Sequence, residues 1–583
     1  MNRRKFLAAS AALPFAAHSA ILHPEPAGSS ETATHPHGET SGRPNSDRYH
    51  LSLDRVLHGP QPVYSQAFLL EDLVGKPGRR FTNFSGDLSG RWIGALAASS
   101  ASFGDQFPAL DEFVKEALPL QHPEGYFGKS FNAEHPGDDD LALLWGNGRL
   151  LVGLMEYHAL RHDPAALTAA RRLGDFLIAI GPKFNSQQMA EDFGAGHFAT
   201  SYICWSQQTE GLAALYAVTK EEKYRDLCAD IAAHMERRPG DHVHGYLCSV
   251  RGTLALYEAT RDSKHLDRVV AAWNDINGSG DILITGGVPE AWSPKKKRTE
   301  GCAECDWLRL NLALYRATGG EKYLAAAESA LFNEFAMNQF ATGDFGHANL
   351  YEDFTPEMVA VRAWWCCTLH GLRAFADVHA SVFRRDAVGV SYVLPIDGLW
   401  SSPECELVAT STLAVNGKVQ ILVKRAVAGT PLTVRSPGWA TNVAIYRNRE
   451  ELHSGRINDI RAGDAFTIHY PMNLRVASAD GVQSRPGRKA LRFGPWLLGA
   501  SSHDQPEYFN ELFADNELWV GSHRDEDIRR PLPFGVPIAA TMCAAVPAEF
   551  PGEGIKVDLR AVAEQTGYES ARWQTAFVVL GNV

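Results

Sequence analysis

From about residue 85 to 385, apolar positions recur at helical spacing, as in Leu150, Leu151, Leu154 and Met155, or Leu212, Leu215 and Tyr216. That period predicts helices with one buried face. Four segments share one plan: GLMEYHALRHDPAALTAARRLGDFL, LAALYAVTKEEKYRDLCADIAAHM, LALYEATRDSKHLDRVVAAWNDI and LALYRATGGEKYLAAAESALFNEF. In each, a Tyr or His precedes a polar turn, and an amphipathic helix follows. Repeated helical hairpins either stack into a solenoid or close into a toroid. Long irregular inserts between copies, such as DILITGGVPEAWSPKKKRTEGCAEC at 281–305, favour a helical toroid whose loops gather into a cleft.

The pattern changes near residue 388. Short alternating runs follow, among them VGVSYVLP, LVATSTLAV, KVQILVKRAV and AFTIHYP, with Asn416-Gly417 and Gly463-Asp464 as turns. They predict a β-sandwich over 388–475. ALRFGPWLLGA, at 490–500, reads as an apolar segment returning to the main body, while 505–583 has no clear period. The expected fold class is mainly α with β: a helical toroid at 49–387, the sandwich, then a C-terminal segment at 476–583. A chain of 583 residues agrees with several units, being too long for one ordinary core.

Charge and the N-terminus narrow the class. Net charge is −12, which argues against a nucleic-acid binder. Residues 1–20, MNRRKFLAASAALPFAAHSA, place Arg3-Arg4 ahead of a short Ala/Leu run, the pattern of a twin-arginine export signal. The run is shorter than the ~20 residues a membrane span needs. Residues 21–48, rich in Pro, Gly, Ser, Thr and His, read as an unstructured linker. The expectation is a periplasmic or secreted protein with no membrane span after processing.

Nine cysteines fit paired disulfides poorly, because the count is odd and four of them cluster at 302, 305, 366 and 367. Zinc takes four ligands from thiolate, imidazole and carboxylate. Glu300 and Cys302 can face one ion from a loop, and a tight turn can aim Cys366 and Cys367 at the same ion. By spacing alone, Cys302-x-x-Cys305 also reads as a redox pair, and Cys366-Cys367 as a vicinal disulfide or two buried small side chains. Twin-arginine export carries folded proteins, so a metal loaded beforehand would shield the thiolates in transit.

Glu-x-Cys followed some sixty residues later by Cys-Cys, in a helical domain ahead of a β-sandwich, resembles glycoside hydrolase family 127, the β-L-arabinofuranosidases and their relatives. The likeness runs from about 60 to 500 and includes Gly125-Tyr126-Phe127-Gly128, Thr285-Gly286-Gly287, LALYRATGGEKYL and Ser436-Pro437-Gly438-Trp439. It implies an (α/α)6 barrel with β-sandwich domains. It implies a Zn2+ ion on Glu300, Cys302, Cys366 and Cys367, with Cys366 as nucleophile and Glu290 as general acid/base.

Retaining hydrolysis needs a nucleophile on one face of the sugar and a proton donor beside the leaving oxygen. A cysteine serves only as thiolate, and zinc keeps it deprotonated. Three thiolates and one carboxylate on Zn2+ give a formal charge of about −2, which limits quenching of the sulfur. Glu290 must alternate between acid and base, so a pKa raised by burial or nearby negative charge is expected.

The chain departs from the family at sugar-contacting positions: Gly148-Arg149 stands where the founding enzymes carry Gly-His, and Ser206-Gln207-Gln208 where they carry a histidine. Arg149, Gln208, His244 and His347 are the candidate substrate-binding residues, and the Lys295–Arg298 run reads as a solvated loop or as a contact for an anionic sugar. The expected function is an exported retaining hydrolase acting on β-L-arabinofuranosides or related glycans. The alternatives are an inverting or uronide-processing toroid enzyme with a structural zinc, or a non-catalytic carbohydrate-binding protein.

Overall fold

The helical repeat folds the same way four times. In each copy the first helix ends on a residue in the left-handed region: His162, Lys220, Arg261 and Gly319, with φ between 54° and 71°. The next helix starts within two residues, and Asp163 and Asp262 cap two of these starts by accepting from backbone N–H groups. A left-handed residue satisfies the last carbonyls of one helix and turns the chain back for the next. The structure is a computed structural model that describes residues 44–59, 64–79, 81–194, 200–292, 298–348, 362–479, 487–502, 517–519, 546–549, 556–563 and 573–580. The export-signal reading at 1–20, the first part of the linker and Lys295–Lys297 lie outside them, as does most of 505–583.

Twelve of the helices are α1 (Pro44–His58), α2 (Asp87–Phe103), α3 (Pro108–Ala117), α4 (Asp138–Arg161), α5 (Pro164–Phe184), α6 (Gln208–Thr219), α7 (Glu222–Ala233), α8 (Val243–Thr260), α9 (Ser263–Gly278), α10 (Gly301–Thr318), α11 (Glu321–Ser329) and α12 (Trp365–Ala380). The even-numbered helices pack in sequence, α2 on α4, α4 on α6, α6 on α8, α8 on α10 and α10 on α12, and α12 returns to α2, closing a ring. Each has an odd-numbered companion: α3 on α2, α5 on α4, α7 on α6, α9 on α8, α11 on α10, and α1 on α12. Ring helices are buried on nearly every side, as α2 from Asp87 to Ala97 and α10 from Gly301 to Leu312.

The expected linker at 21–48 reaches too far, because α1 begins at Pro44. Arg48 is buried and donates to the Ala336 carbonyl at 2.6 Å, and Tyr49 is fully buried. These contacts anchor the segment in a way a solvated linker cannot be.

After α12 the chain enters β structure at Phe383, ahead of the expected boundary at 388. One sheet has six strands and another has four; Asn416-Gly417 lies between two paired strands of the six-stranded sheet, and Gly463-Asp464 lies where the chain passes from the four-stranded sheet back to the six-stranded one. The returning segment is two strands, Lys489–Phe493 and Trp496–Ser501. It docks on the helical body: Asn333 Oδ1 accepts from Leu497 N at 2.6 Å, and Asn333 Nδ2 donates to the Pro495 carbonyl at 3.1 Å. No helix of the described residues is long and apolar enough to cross a membrane.

Candidate active site

A small antiparallel sheet sets up the site. Strand β1 (Thr299–Glu300) pairs with β2 (Gly346–Ala348), which pairs with β3 (Arg362–Ala363), so Glu300 lies opposite His347. β1 runs directly into α10, and β3 leads into α12 one residue later. Glu300 is thus the residue before α10, Cys302 sits in its first turn, and Cys366 and Cys367 sit in the first turn of α12. The adjacent cysteines, awkward in an extended strand, face one point because a helix start turns the chain by about 100° per residue.

The two helix starts meet closely enough that a Cβ on Gly301 would lie 2.8 Å from Asn338 Oδ1 and 3.0 Å from Cys367 Cβ. The donor atoms of Glu300, Cys302, Cys366 and Cys367 all fall within 4.8 Å of one another. Cys302 Sγ and Cys367 Sγ are 3.7 Å apart, and Cys367 Sγ is 3.9 Å from Glu300 Oε1. Sulfurs about 2.3 Å from a shared tetrahedral ion would stand about 3.8 Å apart. The spacing and donor set therefore fit zinc, and all the described cysteines are free. Cys366 is the only partly exposed member of the four.

The protein's own groups distribute charge unevenly here. Burial holds the Glu300 carboxyl and the Cys302 and Cys367 thiols well above their ordinary ranges. Cys366 goes the other way, well below a normal thiol, because Cys302 and Cys367 donate to its sulfur and Arg91 lies near.

Behind the cluster every ring helix contributes to one buried polar relay. Arg91 of α2 donates from NH1 to Cys302 Sγ at 3.7 Å and to His370 Nδ1 at 3.0 Å, from NH2 to His244 Nε2 at 2.7 Å, and from Nε to Asp87 at 2.8 Å. A guanidinium only donates, so both imidazoles accept from it and present their other N–H to Asp306 of α10. Arg251 of α8 donates to Asp306 at 2.6 Å and also pairs with Glu210 of α6. Arg149 of α4 donates to the other Glu210 oxygen at 3.0 Å. Burial keeps His244 neutral, lowered to about 3, and His370 likewise, lowered to about 4. His244, Cys248 and Asp306 also converge as a metal would require, but Arg91, Arg149 and Arg251 already donate to them.

Glu290 is linked to the cluster through His347, which lies opposite Glu300 in the small sheet. Its backbone pairs with Arg298 across a hairpin arm that continues into β1, with Glu290 N donating to Arg298 O at 2.8 Å. Its side chain is buried. Arg298 clamps both carboxylate oxygens, and His347 Nε2 lies 3.5 Å from Oε1. Burial pulls this carboxyl up, but the donors His347 and Arg298 and the charge near them outweigh it and bring it to about 2. That reverses the expected upward shift. His242, just before α8, reaches Glu300 Oε2 at 3.4 Å.

The profile of the family described as β-L-arabinofuranosidase, GH127 catalytic domain, matches residues 64–380, more than half of the chain. The chain belongs to family GH127. It is accordingly a glycoside hydrolase. No curated protein sequence matches it. Among solved structures, a GH127 β-L-arabinofuranosidase from Geobacillus stearothermophilus T6 superposes with a TM-score of 0.66 at 15% identity, covering 92% of this chain and 99% of that one. Another GH127 β-arabinofuranosidase gives 0.66 at 16% identity over 91% and 93%. A protein described only as a glycoside hydrolase gives 0.64 at 15% identity over 89% and 95%. At these identities the structures speak for the fold.

In this GH127 chain the four sequence-predicted zinc ligands come together, and His347 lies beside Glu290. Arg149, Gln208 and His244, expected to touch substrate, are buried with internal partners. Gln208 Nε2 donates to the carbonyls of Leu144 at 2.8 Å and Cys204 at 3.0 Å, tying α6 to α4. Arg149 and His244 belong to the relay. Glu304, which only its position in the sequence set apart from Glu290, accepts from Val288 N beneath the Gly286-Gly287 turn. Burial and Glu334 hold it well above the usual carboxylate range. Arg91, Asp306 and His370 were missed from the sequence. Their signal was a charged or imidazole group on a helix otherwise buried all round.

Proposed function

We propose that the chain is an exported, retaining glycosidase with Cys366 as nucleophile and Glu290 as acid/base, holding zinc on Glu300, Cys302, Cys366 and Cys367. The observation that carries this reading is the geometry of the cluster: four donors from two helix starts lie within 4.8 Å of one another, and among them Cys366 alone is partly exposed. Bound zinc would keep the thiols deprotonated at neutral pH.

The residues then divide the work. Cys366 Sγ bonds to the anomeric carbon as the C–O bond breaks, and Glu290 gives its proton to the leaving oxygen. Glu290 next takes a proton from water, whose oxygen displaces the sulfur from the opposite face, the one the leaving oxygen vacated, so that configuration is retained. His347 orients Glu290, and half-buried Trp364, whose ring centroid is 5.6 Å from that of His347, offers a stacking face for a sugar. β-L-Arabinofuranosides of plant-type glycans are the leading substrate, by family. The ring of helix pairs is read as an (α/α)6 toroid over 49–387, and the two following sheets as a β-sandwich over 388–475. The Arg3-Arg4 pattern supports periplasmic or secreted location.

The test is hydrolysis of p-nitrophenyl β-L-arabinofuranoside by the purified protein and by Cys366→Ser, alongside metal analysis. The expected outcome is about one zinc per chain and a loss of about 10³-fold or more in the variant. Full activity in Cys366→Ser would refute the nucleophile and favour a structural metal.

A further inference from the structure

The carboxylate assigned to proton transfer is closed off by its neighbour. Arg298 Nε donates to Glu290 Oε2 at 2.5 Å, and its NH2 group donates to Oε1, which also faces His347 Nε2 at 3.5 Å. A carboxylate held in this two-pronged clamp can neither carry a proton nor reach a leaving group. The two partners differ in access: the Arg298 side chain is 31% exposed and that of Glu290 is 2% exposed. The clamp therefore opens from the arginine side.

Pulling a guanidinium off a buried carboxylate leaves both charges unpaired, unless a second anion of the same fork-matching shape takes its place. Chemistry fixes where that anion sits. Glu290 protonates the oxygen of the departing sugar, so a group touching Arg298 at that moment belongs to the departing sugar, not to the one joining Cys366.

We propose that Arg298 determines specificity by binding a carboxylate on the leaving sugar, a uronic acid, and thereby frees Glu290 for proton transfer. This deepens the hydrolase reading of the same site and rests on it. The exchange balances. The substrate carboxylate replaces Glu290 on Arg298, freed Glu290 takes a proton from solvent, and that proton goes to the leaving oxygen as the C–O bond breaks and the S–C bond forms.

The test uses a matched pair of disaccharides, L-arabinofuranose β-linked to galacturonic acid and the same compound with its carboxyl reduced to an alcohol. The wild type is expected to favour the acidic member by about tenfold or more in kcat/KM. Arg298→Gln is expected to level the pair, losing rate on the acidic member and gaining kcat on the reduced one, because its Glu290 is no longer clamped. Arg298→Lys, which keeps the charge without the fork, should fall between; it also serves if the glutamine variant folds poorly. Equal wild-type rates, a preference that survives in Arg298→Gln, or an equal loss on both members overturns the inference and leaves the hydrolase reading standing. Failure of the wild type on both disaccharides and on the neutral aryl glycoside overturns that reading, and the inference with it.

Discussion

Arg91 reaches Cys302 Sγ at 3.7 Å and is held from behind by Asp87, His244 and His370. A cluster of three thiolates and a carboxylate around a divalent ion keeps excess negative charge, and one buried guanidinium offsets part of it. Outer partners of this kind orient ligands, and their loss typically costs about 10- to 100-fold in metal affinity. Arg91→Met should therefore weaken zinc retention by that order in competition with a chelator. Unchanged retention would mean the contact carries no weight. The cysteine motif was legible because its residues are rare and come in two short pairs, Glu300 with Cys302 and Cys366 with Cys367. Arg91 was not, since nothing near residue 91 says that residues 244, 306 and 370 will surround it.

At the scale of elements, helices and strands were largely readable. The left-handed caps at His162, Lys220, Arg261 and Gly319 explain why four copies of the repeat looked alike. Less readable was the π-helical turn at Ala330–Phe335, which turns Glu334 inward beneath the Gly286-Gly287 turn. Burial raises the Glu334 carboxyl to about 7, partly offset by hydrogen bonds from Thr285 and Thr299. A raised carboxyl favours the folded state only while protonated. Its contribution is full below about pH 4.5 and is lost as pH rises through about 7, a swing on the order of 3 kcal/mol. Glu334→Gln removes that dependence. Relative to wild type, the variant's melting temperature should improve from pH 5 to pH 8.5, and a constant difference across this range would contradict the burial account. Glu290 shows a similar limit of sequence reading. Its position gave the candidate, but its ionisation depends on Arg298, which the hairpin arm folds back onto it.

Across the whole molecule, the metal ligands tie together two neighbouring ring helices, α10 and α12, while α12 also contacts α2 and α1. An ion on Glu300, Cys302, Cys366 and Cys367 therefore fastens the last two helices of the ring to each other. A ligand present at 100 times its dissociation constant stabilises the folded state by roughly 2.7 kcal/mol. Chelation should lower the melting temperature by a few degrees, and added zinc should restore it. No shift in a protein shown to have lost its zinc would place the ion outside the stability of the ring. Ring closure was foreseeable as a class of fold from the hairpin repeat. The relay inside it was not, because it draws one or two groups from each of six helices spread over some 280 residues.

The position of Cys366 and Cys367 at the start of the last ring helix also bears on the order of assembly. A ribosome delivers Glu300 and Cys302 about sixty residues before their partners, so for that interval the growing chain holds half a site. Two donors hold zinc weakly, and the remaining two arrive with the helix that closes the circle. Capture of the ion thus marks the moment when the last two helices of the ring have found each other, and a nascent chain stalled before Trp364 would carry exposed thiols and no firmly held metal.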